Sequence, residues 1–537
     1  MLRLSKRRPA AAHQRPPRVA RRVRLELEEL ESRTVPTVLT PLQVRHAYGF
    51  DQLAFTVNGR TIAGDGSGQT IAIINAYNQP HIVSDLDTFD RTFSINNKQP
   101  LYQQYGAASS FLTVVNPQGT PLADPSGGLW NLETSLDVEW AHAIAPGAKI
   151  LLVQARTGGM LDLLGAIDYA RKTPGVVAVS MSWGAGEFPS ETYYDKYFTT
   201  PSGHLGGSNG IGGTRIGGGV TFLAAAGDAG APGLWPAMSP YVVAVGGTTL
   251  TVDSAGVYKS ETAWGKSGGG SSKYESKPGY QVGFVSSTMR GTPDVAYNGD
   301  PATGVYVYDS MPLNGRAGSW WAVGGTSAGT PQWAGLVAIA DQARALLGRG
   351  SLDGPSQTLP ALYAMATSDF HDVTSGSNGF SAKVGYDLVT GRGSPIAPRV
   401  VTDLVRAGSK GALTLTLTSG GTKLALAPAI KPSLFVTATG LAPDAAADIT
   451  PGLSGGDIVA VLLRDLDRTT PTSPPVTSHV QRESAPPHPL QPEPRAIVAL
   501  FANGIDWLGA DDGAPDVLPP APVAPDDMPE RDAYFAQ

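Results

Sequence analysis

Cysteine is absent from this 537-residue chain, which excludes thiol nucleophiles, thiolate metal sites and disulfides together. Long hydrophobic runs are missing too. No stretch of about 18 or more apolar residues occurs, so no transmembrane helix is expected. The N-terminus also lacks the apolar middle region of an ordinary signal peptide. Histidine is scarce, with eight in the whole chain, and none stands in a His-Gly-Thr-His context. That argues against the commonest histidine-assisted serine chemistry. Residues 1–24 hold nine basic side chains and no acidic one.

The remaining chain is acidic, with 31 basic against 46 acidic residues, a charge of about −15 beneath an overall −6. An acidic body speaks against nucleic acid as the main partner, and the basic arm reads as a short solvated segment. A hydrophobic content of 41% suffices for a sizeable core, while 65 glycines and 44 prolines imply many turns. Four regions are expected: a basic leader over 1–36, disordered or processed; a main domain over 37–400; a short β-rich extension over 401–468; and a Pro-rich, disordered tail over 469–537.

Within the main domain, short apolar runs alternate with amphipathic stretches. Strands are expected at Thr70–Ala76, Leu112–Asn116, Lys149–Ala155, Val176–Ser182, Val220–Ala226 and Tyr241–Val245. Helical patterns lie near Glu133–Ile144 and Leu161–Arg171, and another helix is expected to be capped by Ser84, with Asp87 at its third position. Apolar strands alternating with helices indicate an α/β fold, a doubly wound and mostly parallel sheet with helices on both faces. The crevice at the carboxyl ends of the strands is then the default place for a site.

The segment Gly324–Pro331 places Ser327 where a Gly-rich turn runs into an apolar stretch. A serine at a helix N-terminus has backbone N–H donors nearby, suited to the negative charge that develops in acyl transfer. The plainer reading is an N-cap. Gly325-Thr326-Ser327-Ala328-Gly329 also fits G-x-S-x-G, as does Gly265–Gly269, and Asp353 and His371 would follow in the order an esterase triad requires. A different base is offered by Glu133 and Asp137, four residues apart and so on one face of a helix. Leu132, Leu136, Trp140 and Ala143 form an apolar stripe beside them. The pair reads either as a solvated acidic patch or as two carboxyls sharing a proton, able to serve a hydroxyl as base and orienter.

With these residues in view, the chain resembles the sedolisin family of serine-carboxyl peptidases from about Thr40 to Pro395. Glu133-x-x-x-Asp137 resembles the family's carboxylate pair, Gly325-Thr326-Ser327 with Pro331 its nucleophile segment, and Ala226-Gly227-Asp228-Ala229-Gly230 its oxyanion segment. Pro236–Val242, Val245–Thr248, Ser267–Gly270 and Pro293–Ala296 follow in the family's order. The resemblance implies a subtilisin-like fold and a serine-type peptidase acting on proteins or peptides, endopeptidase or tripeptidyl-peptidase. Ser327 would be its nucleophile, Glu133 the general base, Asp137 the orienter and Asp228 the oxyanion stabiliser. Asp228 otherwise reads as a turn residue. A carboxyl donates a hydrogen bond only when protonated, so activity is expected to favour acidic pH.

Ser182, Trp183 and Gly184 resemble the segment whose backbone pairs with substrate, or else simply end a buried strand. The resemblance further implies a calcium ion held by the Asp372 and Asp387 carboxylates and the carbonyls of Val373, Lys383 and Gly385, with Lys383 standing where glycine is usual. Residues 24–36 resemble a short leader of some exported bacterial proteins, placing the chain outside the cell or in the envelope, as a monomer. Family members usually carry a large pro-segment. Here the domain follows directly on the leader, so acid-triggered removal of a pro-domain is not assumed. The competing class is an inactive envelope or binding protein that keeps the fold.

Overall fold

The computed structural model describes residues 38–57, 60–209 and 213–408, together with the backbone of the short strands 416–419, 422–425 and 497–499. The leader and nearly all of the Pro-rich tail lie outside the described residues. At the centre is an eight-stranded sheet. Its strands are β1 (Thr70–Ala76), β2 (Leu112–Val115), β3 (Lys149–Ala155), β4 (Val176–Met181), β5 (Thr221–Ala225), β6 (Val242–Val252), β7 (Tyr258–Ala263) and β8 (Val295–Asn298). The spatial order is β7-β6-β5-β4-β1-β3-β2, with β8 also pairing with β6. Every pair is parallel except β6 with β7.

Side chains of a strand alternate between faces, and β1 shows what that accomplishes. Ile71 and Ile73 join the core on one face, while Ala72 and Ile74 join the core on the other. The first face is covered by α2 (Leu129–Ile144) and α4 (Thr326–Leu346), the second by α3 (Met160–Lys172). From Trp130 to Ile144 every residue of α2 is buried, and so is α4 from Thr326 to Ala345. α2 takes polar side chains such as Asn131, Glu133, Asp137, Glu139 and His142 into the interior with it. A side chain at Gly335 would place its Cβ 2.8 Å from Ile144, so glycine permits the close approach of α4 to α2.

Two expectations are corrected. The helix α1 spans Ile82–Thr92 and begins at His81, not at Ser84. His81 N–H is tied to the Gln79 side chain, and the Ser84 hydroxyl donates back to the His81 carbonyl from inside the helix. Strand β6 continues seven residues past Val245, because β7 returns antiparallel along Thr248–Val252. The chain continues as helix α5 (Ala397–Arg406), whose Val400, Val401, Leu404 and Val405 join the core. The strand at 416–419 pairs with 54–57, and that at 497–499 pairs with β10 (Ser319–Gly324), which follows β9 (Val305–Asp309) in a hairpin.

One buried ion pair braces the far side of β6. Arg290 Nη1 and Nη2 donate to Asp294 Oδ1 and Oδ2 at 2.8 and 2.7 Å, with both side chains fully buried. Asp294 Oδ2 also accepts the β6 Ala244 N–H, and Tyr363 donates to Oδ1. Removing the cation leaves a buried carboxylate, so Arg290→Met is expected to cost about 3–5 kcal/mol in urea unfolding. A loss under about 1 kcal/mol would show that the pair does not brace the fold.

Candidate active site

The strand order turns around at β1. From β1 the chain proceeds to β3 and β2 on one side, then returns to β4 on the other. The carboxyl ends of β1 and β4 therefore flank a topological switch point, where open α/β sheets place ligands. Asn75, next to last in β1, lies on the same face as Ile71 and Ile73, toward α2. Ser182 follows the last residue of β4. Both reach Asp137: Asn75 Nδ2 donates to Oδ2 at 3.0 Å, and Ser182 Oγ donates to Oδ1 at 2.6 Å. Sequence reasoning gave neither residue this role. The available signal was a polar side chain closing an otherwise apolar strand.

Glu133 lies one helical turn before Asp137, and both are buried. The solvated-patch reading is therefore excluded. Among the described residues, neither Glu133 carboxyl oxygen has a hydrogen-bond partner. Burial and then the nearby Asp137 push its pKa well above the ordinary range, while the Ser327 hydroxyl opposes the rise. Burial lifts Asp137 to about 7 against the donations from Ser182 and Asn75. Two carboxyls this close and this dry retain at least one proton near neutrality.

Ser327 is the second residue of α4, after Gly325, whose φ of 128° suits glycine. It is not the N-cap and makes no capping bond. Its Oγ donates weakly to the Ser182 carbonyl at 3.5 Å, within the influence of Glu133. On the β5 side, Asp228 Oδ1 accepts from both Thr326 N–H and Thr326 Oγ1 at 2.8 Å. Thr326 Oγ1 in turn accepts the Gly227 N–H. Although Asp228 as a residue keeps some exposure, its Oδ2 is sealed and has no partner among the described residues. Burial of that carboxyl raises its pKa to about 7. Three chain segments thus bring Glu133, Asp137, Asp228 and Ser327 together.

The esterase arrangement does not form. His371 stacks on Tyr258 at 3.7 Å, and Asp353 is held by Thr200 and Ser356, so neither joins Ser327. Ser267, in the second G-x-S-x-G match, donates to the carbonyls of Gly268 and Val389.

The comparisons with known proteins bear on the family and the fold. A model of the subtilase family matches residues 126–386. Kumamolisin of Bacillus sp. (strain MN-32) is 33% identical over 430 residues, 73% of this chain and 68% of that protein. The chain belongs to the sedolisin family. Sedolisin of Pseudomonas sp. (strain 101) is 38% identical over 177 residues, 30% of this chain and 28% of its own. The solved structure of Pseudomonas sedolisin, a serine-carboxyl proteinase in complex with pseudo-iodotyrostatin, superposes with a TM-score of 0.54 at 25% identity. It covers 68% of this chain and 98% of that one. The protein is accordingly a serine-carboxyl peptidase with a subtilisin-like fold.

Of the segment expected to pair with substrate in this sedolisin-family chain, Ser182 uses its side chain on Asp137. Trp183 Nε1 donates to the Ile74 carbonyl, and Gly184 continues toward a bridge between Ala185 and Trp235. The loop expected to hold calcium folds back on itself. Asp372 accepts the Gly385 N–H through both oxygens, and Asp387 accepts the N–H groups of Lys383, Val389 and Thr390. Both carboxylates thus face residues 383–385. Among the described residues, the carbonyls of Val373, Lys383 and Gly385 accept no hydrogen bond. No group of three His, Asp or Glu side chains placed to hold a metal ion occurs there or elsewhere among the described residues. The donor set, two carboxylates supplemented by free carbonyls, fits a hard cation.

The site's carboxyls are joined by others raised by burial, Asp309 to about 7 and Asp341 to about 8. Each is raised above its unfolded value of about 4, so its stabilising share is full below that pH and fades as pH climbs through the folded value. Thermal unfolding should therefore give a higher Tm at about pH 4 than at about pH 8. A Tm that increases steadily to about pH 8 would contradict the buried, protonated state of these groups.

Proposed function

We propose that Ser327 is the nucleophile, Glu133 its general base, Asp137 the group that orients Glu133, and Asp228 the donor to the oxyanion. The observation that carries this reading is the meeting of one hydroxyl with three buried carboxyls and no histidine. As Ser327 Oγ attacks the substrate carbonyl, its proton passes to Glu133 while the proton the pair already holds moves to Asp137, which Asn75 and Ser182 keep in place. The tetrahedral oxyanion is stabilised by protonated Asp228, which Thr326 holds through Oδ1, leaving the Oδ2 side to donate. Glu133 then returns the proton to the leaving amine. Ser182, Trp183 and Gly184 offer backbone to an extended peptide, giving affinity largely independent of sequence.

Calcium, when bound, supplies charge balance and order to the loop through Asp372, Asp387 and the carbonyls of Val373, Lys383 and Gly385. The whole proposed site comes from one chain, which supports action as a monomer. The leader-like residues 24–36 support a place outside the cell or in the envelope. No helix among the described residues is long and apolar enough to cross a membrane.

Cleavage of casein or a peptide mixture, followed by mass spectrometry, tests the assignment. Ser327→Ala should lower kcat by about 10⁶-fold. Asp228→Ala should lose about 10²–10³-fold. Wild-type activity should fall as pH rises through about 7, where Asp228 gives up its proton. Asp228→Asn keeps an N–H donor at every pH, so it should retain more activity than Asp228→Ala and lose this dependence. A Ser327→Ala protein as active as wild type would remove the assignment. Chelation should lower Tm, and Asp387→Asn should abolish that response; a Tm indifferent to chelator would exclude the calcium reading.

A further inference from the structure

Beside the first turn of α2 lies a cavity of about 360 Å³ that the chemistry above does not use. Asn78, just past the end of β1, forms one wall, and Asp124 and Asn131 another. The loop between β9 and β10 covers it with Met311 and Pro312. Its volume is that of a small ligand site.

Two of the polar side chains lining the cavity, Asp124 and Asn131, present acceptors. Asp124 is fixed in place, with Oδ1 accepting the Ser126 N–H at 2.8 Å and Oδ2 accepting the Trp130 and Asn131 N–H groups at 3.0 and 3.3 Å. Asn131 is only 3% exposed, and its Oδ1 has no hydrogen-bond partner among the described residues. A buried amide oxygen left unpaired costs about 1–3 kcal/mol unless something donates to it. No lysine, arginine or histidine lines the cavity. A fixed carboxylate, an unsatisfied acceptor and no resident cation form a recognition set for a positively charged donor.

Position ties the cavity to the reacting centre. Asn131 precedes Glu133 by two residues, about 3 Å along the helix axis, and faces another side of α2. The cavity thus flanks the carboxyl pair without overlapping it, at the same end of the sheet. A residue of a peptide lying across Glu133 has this cavity within reach.

We propose that this cavity is a substrate subsite that receives a cationic group of the peptide, either its α-ammonium or a lysine or arginine side chain. The inference rests on the peptidase reading above and adds a substrate class to it. An α-ammonium held here fixes the distance from the chain start to the scissile bond, and cleavage releases short N-terminal peptides. A basic side chain held here leaves the enzyme an endopeptidase.

The test uses one peptide in three forms: free, N-acetylated, and with its basic residues replaced by norleucine. Cleavage by the full chain is followed by mass spectrometry, and binding to the Ser327→Ala protein by calorimetry. Neutralising the group that enters the cavity should raise KM and Kd by about tenfold or more. A response to acetylation identifies the α-ammonium, and a response to norleucine identifies the side chain. Asp124→Asn removes the charge but also touches the start of α2, so Asn131→Leu, which fills the cavity, is the companion variant. Asn131→Leu should reduce the difference among the three peptides to within about twofold. If all three are cleaved and bound equally well by the wild type, the subsite is refuted while the peptidase reading stands. If no form is cleaved in a Ser327-dependent way, the peptidase reading fails and the subsite fails with it.

Discussion

Glu133 and Asp137 are two acids placed one helical turn apart inside the protein, with no cation beside them. That arrangement is unstable when both are ionised, and it dictates much of what surrounds it. It requires a proton on the pair, and it requires neutral donors to hold the other carboxyl in place. Asn75 and Ser182 supply those donors from two adjacent strands. It also requires that the helix be buried, since water would relax both pKa values toward their ordinary range. Such burial is possible because α2 carries the apolar stripe of Leu132, Leu136, Trp140 and Ala143 and α4 packs against it through Gly335.

The same logic extends to Asp228. A carboxyl is an odd choice of donor for an oxyanion, because its ordinary form is an acceptor. Sealing one oxygen from solvent and saturating the other with Thr326 make it a donor over the range in which the Glu133 pair also keeps its proton. The proposed nucleophile, base and oxyanion donor are thereby matched to one window of pH. A histidine-based site, charged on the acid side, has no such match.

Much of the fold was legible because the central strands are buried on both faces and so read as continuous apolar runs. Thr70–Ala76 and Lys149–Ala155 were placed to the residue. The continuation of β6 was not legible, since Gly246–Thr249 carry no apolar signal and are held as strand by the neighbours β7 and β8. Ser84 was misplaced because a hydroxyl inside the first turn of a helix looks in sequence like a cap. At the site, the i, i+4 spacing revealed the carboxyl pair, but its depth of burial depends on contacts from strands more than forty residues away in sequence. The parts that Asn75 and Ser182 play at Asp137 were not legible for the same reason: they exist only once β1 and β4 are neighbours.

The central claim is that the site carries its own protons near neutrality. Infrared difference spectroscopy of the carboxyl C=O stretch, comparing wild type with Glu133→Gln, Asp137→Asn and Asp228→Asn at about pH 6, tests it most directly. The account predicts a protonated-carboxyl band in wild type that loses intensity in Glu133→Gln and in Asp228→Asn. A band unchanged by all three substitutions at that pH would mean that the three carboxyls are already ionised, and would contradict it.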